Sequence, residues 1–425
     1  MTTAHDPAET RRFALEVVQR LRSAGHEALW AGGCVRDQPL GLTPKDYDVA
    51  TSARPEEIRE VFGHRRTLAV GAAFGVITVL GKRTACPVEV ATFRCDGGYS
   101  DGRHPDAVIF SNAEQDAQRR DFTINGLFFD PLAERVHDFV GGQEDLQAGL
   151  VRAIRNPYER LAEDKLRMIR AVRFAATFRF ELERSTLDAV RQLAGEIVIV
   201  SAERIAAEMR RLLPHANRRF GLELLQKTRL LTAILPEAEQ LEPESLADHS
   251  SPPGAAWQRT LAIVEAMHEP TFPVVLAALI RELRPSPTEL AVKICQRWRL
   301  STDETNRVSW LLQHEQLIRG ALDAYWPKLQ RVLVADGAAE LLTYAEGVAR
   351  VLDGRTDDIE FCRTRLALPV EQLNPRPLLN GNDLAQLGLA PGPRFRTLLD
   401  GLRDAQLLGR VTDRDSAIAW VRAQD

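Results

Sequence analysis

No run in this chain approaches the ~20 consecutive apolar residues that a membrane-spanning helix needs. Its first residues, Met-Thr-Thr-Ala-His-Asp-Pro, lack the basic-then-apolar order of a secretory signal. Cysteine is scarce: five residues, Cys34, Cys86, Cys95, Cys295 and Cys362, odd in number, scattered and never spaced C-x-x-C. That excludes a disulfide framework and a cysteine-built structural zinc, fits a reducing compartment, and makes the cytoplasm the expected location. Internal repeats and low-complexity tracts are also missing. What remains is an ordinary globular composition, 44% hydrophobic and 27% charged over 425 residues, long enough for two or more domains.

Excess positive charge is lacking as well, since the net charge is −4. Taken alone, that argues against a nucleic-acid partner. The distribution argues the other way: residues 151–230 hold 17 Lys and Arg against 10 Asp and Glu, a local +7 inside an acidic protein. Such a basic middle is either a footprint for a polyanion or a solvated helical surface.

Periodicity divides the chain into an α/β part and a helical part. Residues 7–24 pattern as an amphipathic helix with Phe13, Val17, Val18 and Leu21 on one face. Short strand-like runs follow at Ala28–Ala31, Tyr47–Ala50, Gly75–Leu80 and Val88–Phe93, with a Pro55-opened helix over Arg54–Phe62. Beyond Asn156 the strand signals stop, and helices are predicted over Glu163–Ala176, Ser185–Ala194, Ala202–Leu213 and Gly221–Leu231. The acidic, Pro-rich Pro236–Pro253 reads as a linker or hinge. The expected fold class is α+β: a small mixed α/β head over 1–150, a helical neck over 151–235, and a helical body and tail over 236–425.

Chemistry concentrates in four blocks. In Leu29-Trp-Ala-Gly-Gly-Cys-Val-Arg-Asp37, Gly32 and Gly33 permit close backbone approach to an anion and open a helix, while Arg36 can fork onto a phosphate. Fourteen residues after Gly32 comes Asp46, in Lys45-Asp-Tyr-Asp-Val49. Asp46 and Asp48, two apart on a strand, project to one face. Hard Mg²⁺ is typically held by one or two carboxylates and completed by substrate phosphates. Glu89, in Val88-Glu-Val-Ala-Thr-Phe-Arg94, sits in an apolar stretch where burying an acid is costly unless it is paired or faces a metal, which makes it the candidate third carboxylate, with an edge-strand salt bridge as its alternative. A metal pair beside a triphosphate cradle points to nucleotidyl transfer.

In Gln118-Arg-Arg-Asp-Phe-Thr-Ile-Asn125, Asp121 is expected to cap a helix. Arg119 and Arg120 are either triphosphate or ribose contacts or a surface ion pair, and Asn125 is a candidate partner for a ribose hydroxyl. His137-Asp-Phe-Val-Gly-Gly looks structural, with Asp138 fixing the turn. The fourth block is Glu163-Asp-Lys-Leu-Arg-Met-Ile-Arg-Ala-Val-Arg-Phe174. If helical, it makes Asp164 and Arg167 i,i+3 neighbours, with Arg170 and Arg173 trailing and Leu166, Ile169 and Val172 opposite. The plain reading is an ion pair. The sharper one is base selection: a carboxylate accepts from an exocyclic amine while a guanidinium donates to the adjacent ring nitrogen. Cytosine and adenine satisfy both; uracil and guanine satisfy neither.

These blocks, in this order and spacing, resemble the family of class II tRNA nucleotidyltransferases and bacterial poly(A) polymerases, within the DNA polymerase β superfamily, over roughly residues 25–235. Gly71-Ala-Ala-Phe-Gly-Val-Ile-Thr-Val79 and Tyr99-Ser-Asp-Gly-Arg-His-Pro-Asp106 are similar to its pattern too. The resemblance implies Asp46 and Asp48 as ligands of Mg²⁺, with Glu89 the associated carboxylate. It further implies Gly33, Arg36 and Arg120 on the triphosphate, and Asp164 and Arg167 as the base template with Arg170 and Arg173 nearby. Cys95–Pro105 would be the flexible loop that helps switch from C to A addition. CTP and ATP would be the substrates, and the tRNA acceptor stem would lie on the helical neck, body and tail. Full CCA addition, CC-only or A-only addition and poly(A) synthesis share these motifs. Val70-Gly-Ala-Ala-Phe-Gly, standing where bacterial poly(A) polymerases carry an Arg-Arg-Phe block, favours tRNA. A non-catalytic RNA-binding protein is expected to have lost some of these residues, and a small-molecule nucleotidyltransferase needs no long basic neck.

Pro377–Pro393 is similar to a C-terminal segment of relatives that carry an HD-type domain. Where such a domain has its His-Asp pair, this chain reads Ala278-Leu-Ile-Arg-Glu-Leu283, so no phosphohydrolase activity is expected. His249 and His314 are expected to be surface or packing residues, and the Gly-rich 381–394 stretch a helix-connecting turn.

Overall fold

The computed structural model describes residues 6–82, 84–97, 107–241 and 254–424. The chain divides into two compact units: residues 1–212 with 220–236, and residues 213–219 with 237–425. No boundary between them falls at residue 150. Residues 151–212 belong to the same unit as the α/β head.

The first unit opens with helix α1 (Pro7–Ser23), where the Asp6 side chain accepts a hydrogen bond from the amide of Ala8 and Pro7 takes the first helical position. Its Phe13, Val17, Val18 and Leu21 are all buried. At about 1.5–3 kcal/mol for each fully buried large apolar side chain, that stripe holds the helix to the unit.

Eleven strands occur among the described residues of this unit: β1 (Ala28–Ala31), β2 (Asp48–Thr51), β3 (Thr67–Leu68), β4 (Val76–Val79), β5 (Val88–Thr92), β6 (Arg94–Gly97), β7 (Ala107–Phe110), β8 (Phe128–Asp130), β9 (Arg135–His137), β10 (Leu150–Val151) and β11 (Glu181–Leu182). Seven form one mixed sheet in the order β3-β4-β5-β2-β1-β8-β9. In it only β2 and β5 run parallel; the other pairings are antiparallel. Strands β6 and β7 form a separate hairpin that leads into residues 98–106, so the part of the expected flexible loop over 98–105 lies outside the described residues. One core cluster joins Leu29, Ala31 and Ala50 of the central strands to Phe93, Ala113, Ala117 and Phe128.

The helices that bear on the site are α2 (Gly33–Asp37), α3 (Pro55–Phe62), α4 (Ala113–Gln118), α5 (Gly142–Ala148), α6 (Pro157–Glu163), α7 (Arg167–Phe178), α8 (Arg184–Leu193) and α9 (Ala202–Leu212). Two expectations need correction here. Strand β2 begins at Asp48, so Asp46 lies in the segment leading into it rather than on the strand. The single helix expected over Glu163–Ala176 is two helices broken at 164–166, with Asp164 in an extended conformation (φ −144°, ψ 104°). The predicted 3.6-residue pattern continues across the break, which is why periodicity alone did not show it.

The second unit is helical. Its helix Phe272–Ile280 is buried along nearly its whole length. The residues after it, where an HD-type pair would stand, are Arg281 and Glu282, ion-paired to each other. Nδ1 of His314 donates to the Trp310 carbonyl (2.8 Å) and its ring lies 4.9 Å from the Trp310 ring, a packing role; His249 lies outside the described residues.

Candidate active site

A cleft of about 560 Å³ in the first unit is lined by Gly32, Gly33, Arg36, Asp48, Arg119, Arg120, Asp121, Asn125, Asp164, Arg167, Arg170, Arg173, Phe174 and Arg211. Seven arginines against three aspartates make its wall strongly cationic, a setting for a polyphosphate. Asp46 and Glu89 stand outside that wall.

The glycine turn comes first. Gly32 adopts φ +70°, ψ −126°, in the region L side chains rarely adopt, and a Cβ there would lie 3.2 Å from Nη1 of Arg120. Only glycine lets the backbone and this guanidinium stand together. Arg36, on the short α2, is buried. Its Nε and Nη2 donate to Asp37 (2.8 and 2.7 Å), its Nη1 to Oδ1 of Asn125 (2.6 Å), and it lies over the Phe178 ring at 4.5 Å.

Asp48 opens β2 and is the register partner of Glu89 on the parallel β5. Asp48 reaches solvent at the strand end, yet local desolvation, reinforced by Asp46 and Glu89 and opposed by Arg120, pushes its carboxyl up to about 6. Glu89 is exposed between buried Val88 and Val90. It is therefore not the buried acid expected from its apolar surroundings, because its face of the strand reaches solvent. Among the described residues no group of three or more His, Cys, Asp and Glu side chains is arranged to hold a metal ion. The carboxylates at this end of the sheet form instead a set of hard oxygen donors whose mutual repulsion is only partly offset.

The arginines are braced, not free. Arg120 donates through Nε and Nη2 to Asp116 (3.3 and 3.1 Å) and through Nη1 to the carbonyl of Asn125 (3.1 Å). Burial alone would raise the Asp116 carboxyl, but Arg120 and Arg119 outweigh it and hold it below the usual range. Asp121 does not cap a helix. Its fully buried carboxylate accepts from Nε and Nη2 of Arg170 (2.9 and 2.6 Å), from Nδ2 of Asn125 and from the amide of Phe122. Against the burial penalty, Arg170 and Asn125 hold this carboxyl far below the carboxylate range. Asn125 is thus occupied at both ends of its amide, by Arg36 and by Asp121. The groups expected to meet a ribose hydroxyl are engaged inside the protein.

Arg167 donates through Nη1 to the Arg160 carbonyl (2.8 Å) and to Glu163 (2.5 Å), not to Asp164. Asp164 accepts from the Leu166 amide (3.1 Å) and from Arg204 of α9. The two are neighbours in the cleft wall, but the helix break, not an i,i+3 spacing, places them there. Arg173 pairs with Glu208 and lies 4.0 Å from the centre of the Phe174 ring; burial lowers it, against the pull of Glu208.

Sequence reasoning did not single out Arg211 or Phe174. Arg211 follows Arg210 on α9 and Phe174 follows Arg173 on α7, and nothing in the local pattern separates them from ordinary surface and core residues. Asp138 holds the turn it was expected to hold, accepting from the amides of Val140, Gly142 and Gln143.

Comparison with known proteins gives a consistent result. The family described as the poly A polymerase head domain matches residues 28–152, and a probable RNA- and SrmB-binding site of polymerase A matches residues 179–241. The CCA-adding enzyme of Lacticaseibacillus paracasei is 33% identical over 401 residues, 94% of this chain and 93% of that protein. The CCA-adding enzyme of Limosilactobacillus reuteri is 31% identical over 406 residues, 95% of this chain and 94% of that protein. The crystal structure of the Bacillus stearothermophilus CCA-adding enzyme in complex with CTP superposes with a TM-score of 0.75 at 27% identity, covering 97% of each chain.

Proposed function

The chain belongs to the CCA-adding enzyme and poly(A) polymerase family and is a tRNA nucleotidyltransferase, and we propose that it adds C and A, from CTP and ATP, to the tRNA 3′ end with Mg²⁺ in the cytoplasm. The observation that carries this reading is the single cleft in which Asp48 meets Arg36, Arg120 and the Asp164–Arg167 wall.

Asp46 and Asp48 would hold the Mg²⁺, with Glu89 as the associated carboxylate. Hard carboxylate oxygens gathered at one strand end, where desolvation and then Asp46 and Glu89 raise the Asp48 carboxyl, fit a small divalent cation completed by phosphate oxygens. When bound, such a cation activates the attacking hydroxyl and stabilises charge on the α-phosphate and the departing pyrophosphate. The protein's own groups do the rest. Gly32 and Gly33 allow the triphosphate close to the backbone, and Arg36 and Arg120 neutralise it from positions fixed by Asn125 and Asp116. Asp164 accepts from the N4 amine of cytosine or the N6 amine of adenine, and Arg167 donates to the neighbouring ring nitrogen. Arg170 and Arg173 add positive charge beside them. Because Asp116, Asp121, Glu163 and Glu208 already brace these arginines, little reorganisation is left for the moment of reaction. The tRNA acceptor stem is assigned to the basic residues 151–230.

Purified protein is offered tRNAs ending at the discriminator base, at C and at CC, with each nucleoside triphosphate in turn, and the products are sequenced. Stepwise C, C and A addition is expected. Stopping after CC, or adding A alone, would replace full CCA addition with a partial activity. Adenosine runs would indicate poly(A) synthesis, and equal use of UTP or GTP would remove the base-reading role.

A further inference from the structure

Asp164 does not stand alone in the cleft wall. It occupies the break between α6 and α7, where no helical turn fixes its side chain. Across from it, α9 presents Arg204, whose Nη1 donates to Oδ1 (3.2 Å) and Nη2 to Oδ2 (2.7 Å), a two-pronged pairing in which each carboxylate oxygen meets its own N–H. Both side chains are mostly shielded, 24% and 17% exposed. Arg204 itself does not line the cleft. One turn further along the same helix, Glu208 takes Arg173 and approaches Arg170 and Arg211 at 3.7 and 3.9 Å. A single face of α9 therefore grips both the carboxylate and the cationic parts of the wall opposite.

We propose that Arg204 is a positioning residue that sets nucleotide specificity by holding the Asp164 carboxylate in one plane. The inference rests on the reading that Asp164 accepts a hydrogen bond from the base. A carboxylate has about four acceptor sites; the fork uses one on each oxygen and the Leu166 amide a second on Oδ1, which leaves a site on Oδ2. That site keeps a fixed direction, so an amine N–H finds an acceptor in place and a carbonyl oxygen finds only repulsion. Without the fork only the Leu166 amide holds the carboxylate, which then turns about that bond and no longer keeps an acceptor fixed opposite the amine. The contrast between CTP and UTP then shrinks although Asp164 is still present.

The test compares Arg204→Ala, Arg204→Lys, Asp164→Ala and the Arg204→Ala/Asp164→Ala double variant in the full chain, on tRNA lacking its 3′ CCA. Steady-state kcat and KM are measured for CTP and UTP, and thermal denaturation reports folding. Arg204→Ala should lower the CTP-over-UTP preference by about tenfold, the scale of one charge-assisted pairing. The change should come from a higher KM for CTP more than from a lower kcat. Arg204→Lys, which keeps the charge but not the fork, should recover part of the preference, and it carries the test if the alanine variant does not fold. In the Asp164→Ala background the second substitution should change the preference no further. The inference is overturned if Arg204→Ala keeps the wild-type preference while Asp164→Ala loses it, or if the two losses add independently. If Asp164→Ala itself keeps the preference, the base-reading role falls, and this inference with it.

Discussion

Asp48 and Glu89 are register partners on the parallel strands β2 and β5, which brings two carboxylates together at one end of the sheet with Asp46 close by. Desolvation, with Asp46 and Glu89 adding to it, raises the Asp48 carboxyl to about 6, and Arg120 offsets only part of that rise.

That shift has a definite sign. Asp48 is easier to protonate in the folded protein than in the unfolded chain, where it titrates near 3.8. Its favourable contribution is complete below that value and is lost as pH rises through about 6. Asp48→Asn should therefore raise the melting temperature at pH 7.5 and leave it nearly unchanged at pH 3.5, while incorporation of nucleotide is abolished. Mg²⁺ should raise the melting temperature of the native chain at pH 7.5 and do so less for the variant. Scanning calorimetry at both pH values checks this. Equal effects at the two pH values would count against a strained carboxylate, and retained incorporation would count against the metal assignment.

Asp121 shows the opposite behaviour. Despite complete burial its carboxyl is held far below the usual range, with Arg170 and Asn125 overcoming the desolvation. Its contribution is present above the unfolded value near 3.8 and is lost as pH falls through the folded one. Asp121→Ala leaves Arg170 without its principal acceptor and should cost about 1–3 kcal/mol, less than a fully buried pair because Arg170 is partly exposed and has Glu208 nearby. Asp121→Asn, which keeps a side-chain oxygen, should cost less. Urea denaturation at pH 7 measures both, and a loss for Asp121→Ala below about 1 kcal/mol, the scale of an exposed pair, would show that Arg170 finds another partner.

Much of this site was legible because its signals are local. The strand at Glu89 alternates with period two, the helix over Arg54–Phe62 announces itself through Pro55, and the glycine pair before Arg36 marks a backbone position that needs φ > 0. What stayed hidden was long-range or fell on a discontinuity. The 164–166 break interrupts a pattern whose apolar residues continue in phase, so Asp164 reads as helical when it is extended. Arg204 and Glu208 lie 35 to 40 residues from their partners at the 164–166 break and on α7, and no local spacing links them. Glu89 reads as buried because its neighbours in sequence are, although its own face is open. Asn125 is recognisable as polar within an apolar segment, but its closure between Arg36 and Asp121 appears only in three dimensions.

Gly142 tests how closely the turn beneath the cleft is packed. It opens α5, and a Cβ there would lie 2.3 Å from the carbonyl oxygen of Thr123 and 2.9 Å from Cδ2 of Leu127. The first of these is backbone, in the turn Thr123–Asn125 that presents Asn125 to both Arg36 and Arg120. Gly142→Ala should therefore destabilise by about 1–3 kcal/mol through overpacking and, by displacing Asn125, raise the KM for CTP. Gly141 provides the contrast: its φ of +77° makes alanine unfavourable, but nothing lies within 4 Å of the added carbon. Gly141→Ala should cost about 1–2 kcal/mol of backbone strain and leave the KM unchanged. Paired melting curves and CTP titrations separate the two effects. If both variants shift the KM equally, the turn's influence on the cleft runs through general loosening of the unit rather than through Asn125.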